Sequence, residues 1–156
     1  DKLNLGTGDY SVACWVKAGS GARMVWQESG KNGSKDNQSW LRIGDNTTDR
    51  QLRFNTEDPD GSKIMNMGNE GKLNDDTWKH VVCIRQGLKM SVYINGVKVK
   101  EENSAKVQNV TGAQNFKIGM QEGASSFNNF YNGLMDDFLI YKKALTPAEI
   151  TALYQL

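Results

Sequence analysis

The chain is poor in the residues that build metal centres, crosslinked scaffolds and membrane spans. It carries one histidine, two cysteines and two prolines in 156 residues. A structural zinc site takes four ligands, so His80, Cys14 and Cys83 cannot complete one. The cysteines fall on different predicted strands, which leaves a single disulfide or two buried thiols as equal expectations. The longest apolar run, Val81-Val82-Cys83-Ile84, is far too short to span a bilayer. An excess of one charge is lacking too, with 19 basic against 18 acidic side chains. That balance removes the electrostatic case for nucleic acid or an anionic membrane as partner. There is no G-x-S-x-G elbow and no H-E-x-x-H pair. Glu57, Asp58 and Asp60 gather at a turn, and Asp136 and Asp137 point to opposite strand faces. His80 stands on an apolar strand face and reads as a hydrogen-bonded core residue. No two groups with complementary acid and base roles are visible, so catalysis is not expected. The chain opens on Asp1 without a charged-then-apolar leader, as a processed chain or an excised domain would.

What is present is alternation and turn chemistry. Sixteen glycines, with many Asn and Asp, punctuate the chain. Over residues 10–17, Tyr10, Val12, Cys14 and Val16 face one way and Ser11, Ala13 and Trp15 the other, which predicts a strand. Further strands are predicted over 23–28, 40–43, 51–57, 62–67, 78–85, 90–94 and 116–120. The 51–57 and 62–67 pair reads as a hairpin over Asp58-Pro59-Asp60-Gly61, a type I turn without the spacing of an EF-hand loop. Trp78, His80, Val82 and Ile84 share a face. Asn95-Gly96 is the strongest short hairpin signal, and Val97 and Val99 continue beyond it. Residues 29–38 and 121–131 form two long polar loops, of a length that suggests a functional edge. Near the end, Leu134, Phe138 and Ile140 lie on one face of a strand and Met135, Leu139 and Tyr141 on the other. A strand apolar on both faces reads as buried and central. Thr146, Pro147 and Glu149 fit the N-cap, N1 and N3 positions of a capping box. Ile150, Leu153 and Tyr154 then share a helical face, so a short helix should fold back on the sheet. The expected fold is all-β: a single domain over 1–156, a two-sheet antiparallel jelly-roll sandwich with one short C-terminal helix.

Three stretches carry a resemblance. Asp9-Tyr10-Ser11-Val12-Ala13-Cys14-Trp15-Val16-Lys17 is similar to an early central strand of the laminin-G-like and pentraxin group, within the concanavalin A-like superfamily. Trp78-Lys79-His80-Val81 through Tyr93-Ile94-Asn95-Gly96 resembles its W-x-H-V … Y-x-N-G hairpin. Residues 132–141, with Ala144-Leu145-Thr146-Pro147-Ala148-Glu149-Ile150, resemble its closing segment. Members usually have a strand or two before the first of these matches, so an edge strand is expected to be missing or supplied differently. In pentraxins an Asp-Asn pair before an aromatic-rich strand binds calcium. The resemblance implies Asp36, Asn37 and Gln121 as the corresponding ligands, with Gly123 where an acid would stand. Pentraxins also join two of these strands by a disulfide. Both cysteines here fall about one residue later, so that bridge is not carried over. Glucanases of the same architecture use an E-x-D-x-x-E strand, which this chain lacks.

Sugar recognition needs a flat aromatic face for ring C–H groups and planar amides or carboxylates for hydroxyls. The two polar loops offer Asn37, Gln38 and Trp40 on one side and Glu122, Phe127, Asn128 and Tyr131 on the other. Trp40 is equally a candidate for core packing. The expectation is a non-catalytic, lectin-like module, with calcium assistance implied by the resemblance. It would be extracellular or on a cell surface, with a glycan or polysaccharide as partner and neighbouring domains of a parent protein beside it. A protein-binding adhesion or spacer domain is the competing reading.

Overall fold

The computed structural model describes residues 3–19, 21–28, 35–44, 51–71, 73, 76–112 and 115–156, apart from the side chains of residues 69 and 70. In chain order the strands are β1 (Tyr10–Ala18), β2 (Met24–Glu28), β3 (Gln38–Ile43), β4 (Leu52–Asp58) and β5 (Gly61–Asn66). There follow β6 (Lys79–Gln86), β7 (Lys89–Ile94), β8 (Val97–Asn103), β9 (Lys117–Ile118), β10 (Gln121–Glu122), β11 (Phe127–Asn128) and β12 (Gly133–Tyr141). One helix, α1 (Pro147–Tyr154), closes the chain. Two five-stranded antiparallel sheets stack face to face, ordered β12-β1-β6-β7-β8 and β5-β4-β3-β2-β9. This is the expected sandwich.

Alternation decides which side chains meet between the sheets. Tyr10, Val12, Cys14 and Val16 of β1 and Val81 and Cys83 of β6 point inward from the first sheet. Trp26, Leu41, Ile43, Phe54 and Met65 meet them from the second. Trp26 stacks on Phe116 at 5.6 Å, and Tyr10 stands edge-on to Phe54 at 6.4 Å. The opposite face of the first sheet is apolar as well, and α1 covers it. Ala13, Val82, Ile84, Tyr93, Leu145 and Ile150 form that second cluster. The Ser11 hydroxyl donates to the Lys143 carbonyl and accepts from Leu145 N–H, both at 2.9 Å, tying the entry of the helix to β1. Thr146 and Glu149 close the expected capping box. The Lys143 ammonium and the cap N–H hold the Glu149 carboxyl down at about 2.

The closing strand differs from its expectation. β12 lies at the edge of the first sheet and pairs only with β1 among the described residues. Leu134 and Leu139 are 58% and 39% exposed. The cause is a bulge. Ala13 pairs with Leu139 and Trp15 with Asp136, so Asp137 and Phe138 together oppose Cys14. Asp137 adopts φ 46, the left-handed conformation that such an insertion needs. The bulge switches the strand's faces. Met135, Phe138 and Ile140 pack on the core, while Asp136 and Asp137 line one shallow groove with Trp15 and Trp78. The two acids therefore share a side rather than pointing apart. They are neighbours on one strand and do not face each other across a cleft.

Two other expectations change, and the cysteine alternatives resolve. His80 is buried, but its Nδ1 has no hydrogen-bond partner among the described residues. The ring instead packs against Trp15 at 5.3 Å and Tyr154 at 6.2 Å, which stack on each other at 5.8 Å. Burial pushes its pKa below the ordinary histidine value, despite the Asp137 charge. The expected strand over 116–120 shrinks to β9, and the second polar loop contains the small β10–β11 ribbon. Cys14 and Cys83 are free thiols. Burial pushes Cys14 up to about 12 and raises Cys83 well above its usual value. Both are inert core residues.

The inner face also holds one buried cation. The Arg85 guanidinium lies 4.7 Å from the centre of the Tyr10 ring. Its N–H groups donate to the carbonyls of Gln108 at 2.8 Å, Gly6 at 2.8 Å and Gly8 at 2.5 Å. It clamps the segment before β1 to the segment after β8. The Asn95-Gly96 turn behaves as expected, with φ 50 and 78. Asn95 Oδ1 accepts from His80 N–H at 3.0 Å. An added Cβ at Gly96 would come within 3.3 Å of the Tyr154 ring, so the turn also seats the helix.

Candidate functional site on the outer face of the second sheet

The outer face of the second sheet carries a different set of side chains. Strand period places Gln38, Trp40 and Arg42 outward on β3 once Leu41 and Ile43 point to the core. Opposite them on β4 stand Glu57, Asn55 and Arg53. Ser62, Ile64 and Asn66 of β5 continue the three rows. Trp40 is half-buried and is not a core residue, which corrects the core-packing alternative. Its ring forms part of a groove of about 280 Å³ with Gln38, Glu57, Ile64 and Gln121. A second groove of about 400 Å³ continues along the same face past Arg42, Arg53 and Asn66. Trp40, Arg42 and Ile64 line both, so the two form one trough.

The floor is held by a polar network. Gln38 Nε2 donates to Glu57 Oε2 at 2.9 Å, and Asn55 Nδ2 donates to the same oxygen at 3.3 Å. The Lys35 N–H donates to the other Glu57 oxygen at 2.5 Å. Gln27 Nε2 donates to Gln38 Oε1 at 3.3 Å, while Gln27 Oε1 accepts from Glu122 N–H at 2.9 Å. Gln27 therefore links the first loop to the β10–β11 ribbon. Asn129 Nδ2 donates to Gln121 Oε1, and Asn129 Oδ1 accepts from Arg23 Nη1 at 3.1 Å. These side chains are fixed before any ligand arrives, which lowers the entropy cost of binding. Asn55 Oδ1 is buried on this face without a donor.

Of the residues expected from sequence, Gln38, Trp40 and Gln121 meet in this trough. Asp36 and Asn37 sit on the turn just before β3 and are half-buried. Glu122 pairs with Lys117 at 2.8 Å and faces Phe127 across the ribbon. Phe127 and Asn128 are exposed there. Tyr131 packs against the main core and donates to the Leu134 carbonyl at 3.5 Å. Burial raises its hydroxyl pKa. Gln27, Arg42, Arg53, Asn55, Glu57 and Ile64 were not expected. The signal for Arg42, Arg53, Asn55 and Glu57 was the polar half of the β3 and β4 alternation; Gln27 on β2 and Ile64 on β5 carried no such signal. The rest of the first loop, residues 29–34, lies outside the described residues, as do residues 45–50. The sequence holds four Asn-x-Ser/Thr sites; Asn37 and Asn109 are described and Asn32 and Asn46 are not.

A calcium site does not assemble from these groups alone. Calcium takes six to eight oxygens. No three His, Cys, Asp or Glu side chains gather among the described residues. The Gln121 carbonyl oxygen is already engaged by Asn129.

Residues 1–151 match the laminin G family described as the concanavalin A-like lectin/glucanases superfamily, and the chain belongs to it. Among solved structures it is similar to domain 4 of AbnA, an extracellular arabinanase of Geobacillus stearothermophilus in complex with arabinotriose. The identity is 24%, the TM-score 0.67, and 95% of this chain and 67% of that one are covered. The CBM40 module of the Ruminococcus gnavus IT-sialidase, bound to α2,3-sialyllactose, gives 12% identity and a TM-score of 0.78. It covers 96% of this chain and 84% of that one. A SAP-like pentraxin from Limulus polyphemus gives 15% identity and a TM-score of 0.70, covering 98% and 72%. These likenesses establish the fold. Among curated proteins, the human adhesion G-protein coupled receptor D1 is 35% identical over 76 residues. That match takes in 47% of this chain and 8% of the receptor. No helix among the described residues is long and apolar enough to cross a membrane.

Proposed function

We propose that this domain is a non-catalytic carbohydrate-binding module that takes a glycan in the trough on the outer face of its second sheet. It would work on a secreted or cell-surface protein, beside other domains of its parent. The observation that carries the reading is Trp40, a half-buried aromatic set among fixed amides and a carboxylate on a face that none of the described elements covers. A sugar ring stacks its C–H groups on the indole, while Gln38, Gln121 and Glu57 are placed to exchange hydrogen bonds with hydroxyls. Among the described residues no acid pair faces across the trough, so the chemistry on offer there is holding and not cleavage. The glycan complexes of two similar modules support this reading. Phe127 and Asn128 on the exposed ribbon extend the surface at one end, with Asn37 and Asp36 beside Gln38. Calcium, if bound at Asp36 and Asn37, would act as an accessory to this contact.

The test is a glycan array followed by affinity electrophoresis with wild type and Trp40→Ala. Binding by wild type, lost in the variant with circular dichroism unchanged, supports the module. No binding to any glycan, with or without calcium, removes it. The adhesion reading rests on a different feature: the edge of β12, unpaired among the described residues, with Leu134 and Leu139 exposed.

A further inference from the structure

We propose that a groove on the outer face of the first sheet docks an arginine side chain carried on an extended segment of a protein partner. The groove lies on the opposite sheet from the trough and does not depend on the glycan reading. α1 covers the apolar part of this face and ends at Tyr154, whose ring stacks on Trp15 at 5.8 Å. Beside that stack a shallow groove of about 370 Å³ is lined by Trp15, Trp78, Asp136, Asp137 and Leu156. Cross-strand pairing sets Asp136 and His80 on either side of Trp15. The contacts with Tyr154 and His80 fix the Trp15 indole as a wall. Trp78, two residues before His80, is different. It is 41% exposed and makes no ring or cation contact with any described residue. An indole left open in this way attracts a cation.

The charge on the groove has one sign. Asp136 Oδ1 accepts the Asp137 N–H at 2.8 Å, and neither carboxylate has an ion pair among the described residues. Lys17, the next outward position on β1 after Trp15, is engaged by Asp76 at 3.4 Å. A guanidinium answers both features at once. It is planar and stacks on an aromatic face, and its fork of donors takes a carboxylate in paired N–H···O bonds. A lysine ammonium has neither the plane nor the fork. The sheet edge points to a polypeptide as the carrier. β12 pairs only with β1 among the described residues, and its Leu134 and Leu139 are exposed. An extended segment laid along such an edge gains main-chain hydrogen bonds as well as side-chain contacts. The bulge at Asp137 brings both carboxylates to the groove beside that edge.

The test titrates the whole labelled domain with short blocked peptides that differ only at a central residue: arginine, lysine or citrulline, the uncharged near-isostere of arginine. The arginine peptide should move the Trp15 and Trp78 indole N–H signals saturably, and citrulline should bind at least about tenfold more weakly. The difference should shrink as salt is raised. The double variant Asp136→Asn, Asp137→Asn should lose the preference for arginine over citrulline. Asparagine tolerates the left-handed backbone at position 137, φ 46, so the melting temperature should hold. Trp78→Ala should weaken all three peptides, with circular dichroism unchanged. Citrulline bound as tightly as arginine overturns the inference, and so does an arginine preference that survives in the double variant. Lysine bound as tightly as arginine also overturns it, because the groove would then read charge without shape. So does the lack of any saturable shift at about 10 mM peptide, where even a single weak contact is visible. None of these results bears on the trough, since the two sites share no lining residue.

Discussion

The two outer faces of this sandwich have the same backbone geometry and opposite fates. On the first sheet, the outward residues Ala13, Val82, Ile84 and Tyr93 are apolar, and α1 with Leu145 and Ile150 buries them. On the second, the outward residues are Gln38, Trp40, Arg42, Arg53, Asn55 and Glu57, and no element among the described residues lies over them. A face made apolar must be covered. A face that mixes one large aromatic with fixed polar groups can stay open and bind. Each face thus has its own readout: stability for the first, ligand affinity for the second.

The largest effects should separate these readouts. Arg85, between the sheets, gives the reference for pure structure. Arg85→Leu leaves the carbonyls of Gly6, Gly8 and Gln108 without their donors, and we expect a loss of about 3 kcal/mol in denaturant unfolding. On the covered face, Ile150→Ala opens a cavity beneath α1 and should cost about 2–4 kcal/mol. Glycan affinity per folded molecule should be unchanged. On the open face the pattern should invert. Trp40→Ala should weaken glycan binding more than about tenfold while costing about 1 kcal/mol or less in stability. If Ile150→Ala lowered affinity as much as Trp40→Ala, the division between the faces would be wrong.

Smaller effects sharpen the same contrast. Glu28 is buried at the end of β2, and burial pushes its carboxyl up to about 7, against the lowering by the Gly112 backbone and Lys117. A folded-state value above the unfolded one gives stability that is complete below about 4.5 and is lost as pH rises through about 7. Wild type should therefore lose melting temperature relative to Glu28→Gln as pH climbs across that window. A constant gap between the two would show that Glu28 is not buried as described. Least of all, calcium against chelator should move the melting midpoint by less than about 1 °C, since Asp36 and Asn37 supply too few oxygens. A larger rise would assign the loop before β3 to an ion.

Much of the architecture could be read directly from residue order. The alternation in β1, the Asn95-Gly96 turn and the Thr146–Glu149 capping box are local signals, and local geometry obeyed them. β12 could not be read that way. Its bulge at Asp137 swaps inward and outward positions, and an apolar pattern on two faces does not distinguish a central strand from an edge strand. The site was half legible. Gln38, Trp40 and Gln121 were found on loops, where polar residues stand out. Arg42, Arg53 and Glu57 lie within strands, and an alternation of this length does not say which half faces the core. Trp40 shows the difficulty most clearly: Leu41 and Ile43 took the interior, and the larger aromatic faced out.

The most direct measurement is a chemical-shift map of the labelled domain titrated with its best-bound oligosaccharide. The account predicts that the Trp40 indole N–H and the amides of Gln38, Asn55 and Ile64 move, while those of α1 and β12 stay in place. Shifts centred on β12 or α1, with the Trp40 signal unmoved, would contradict it.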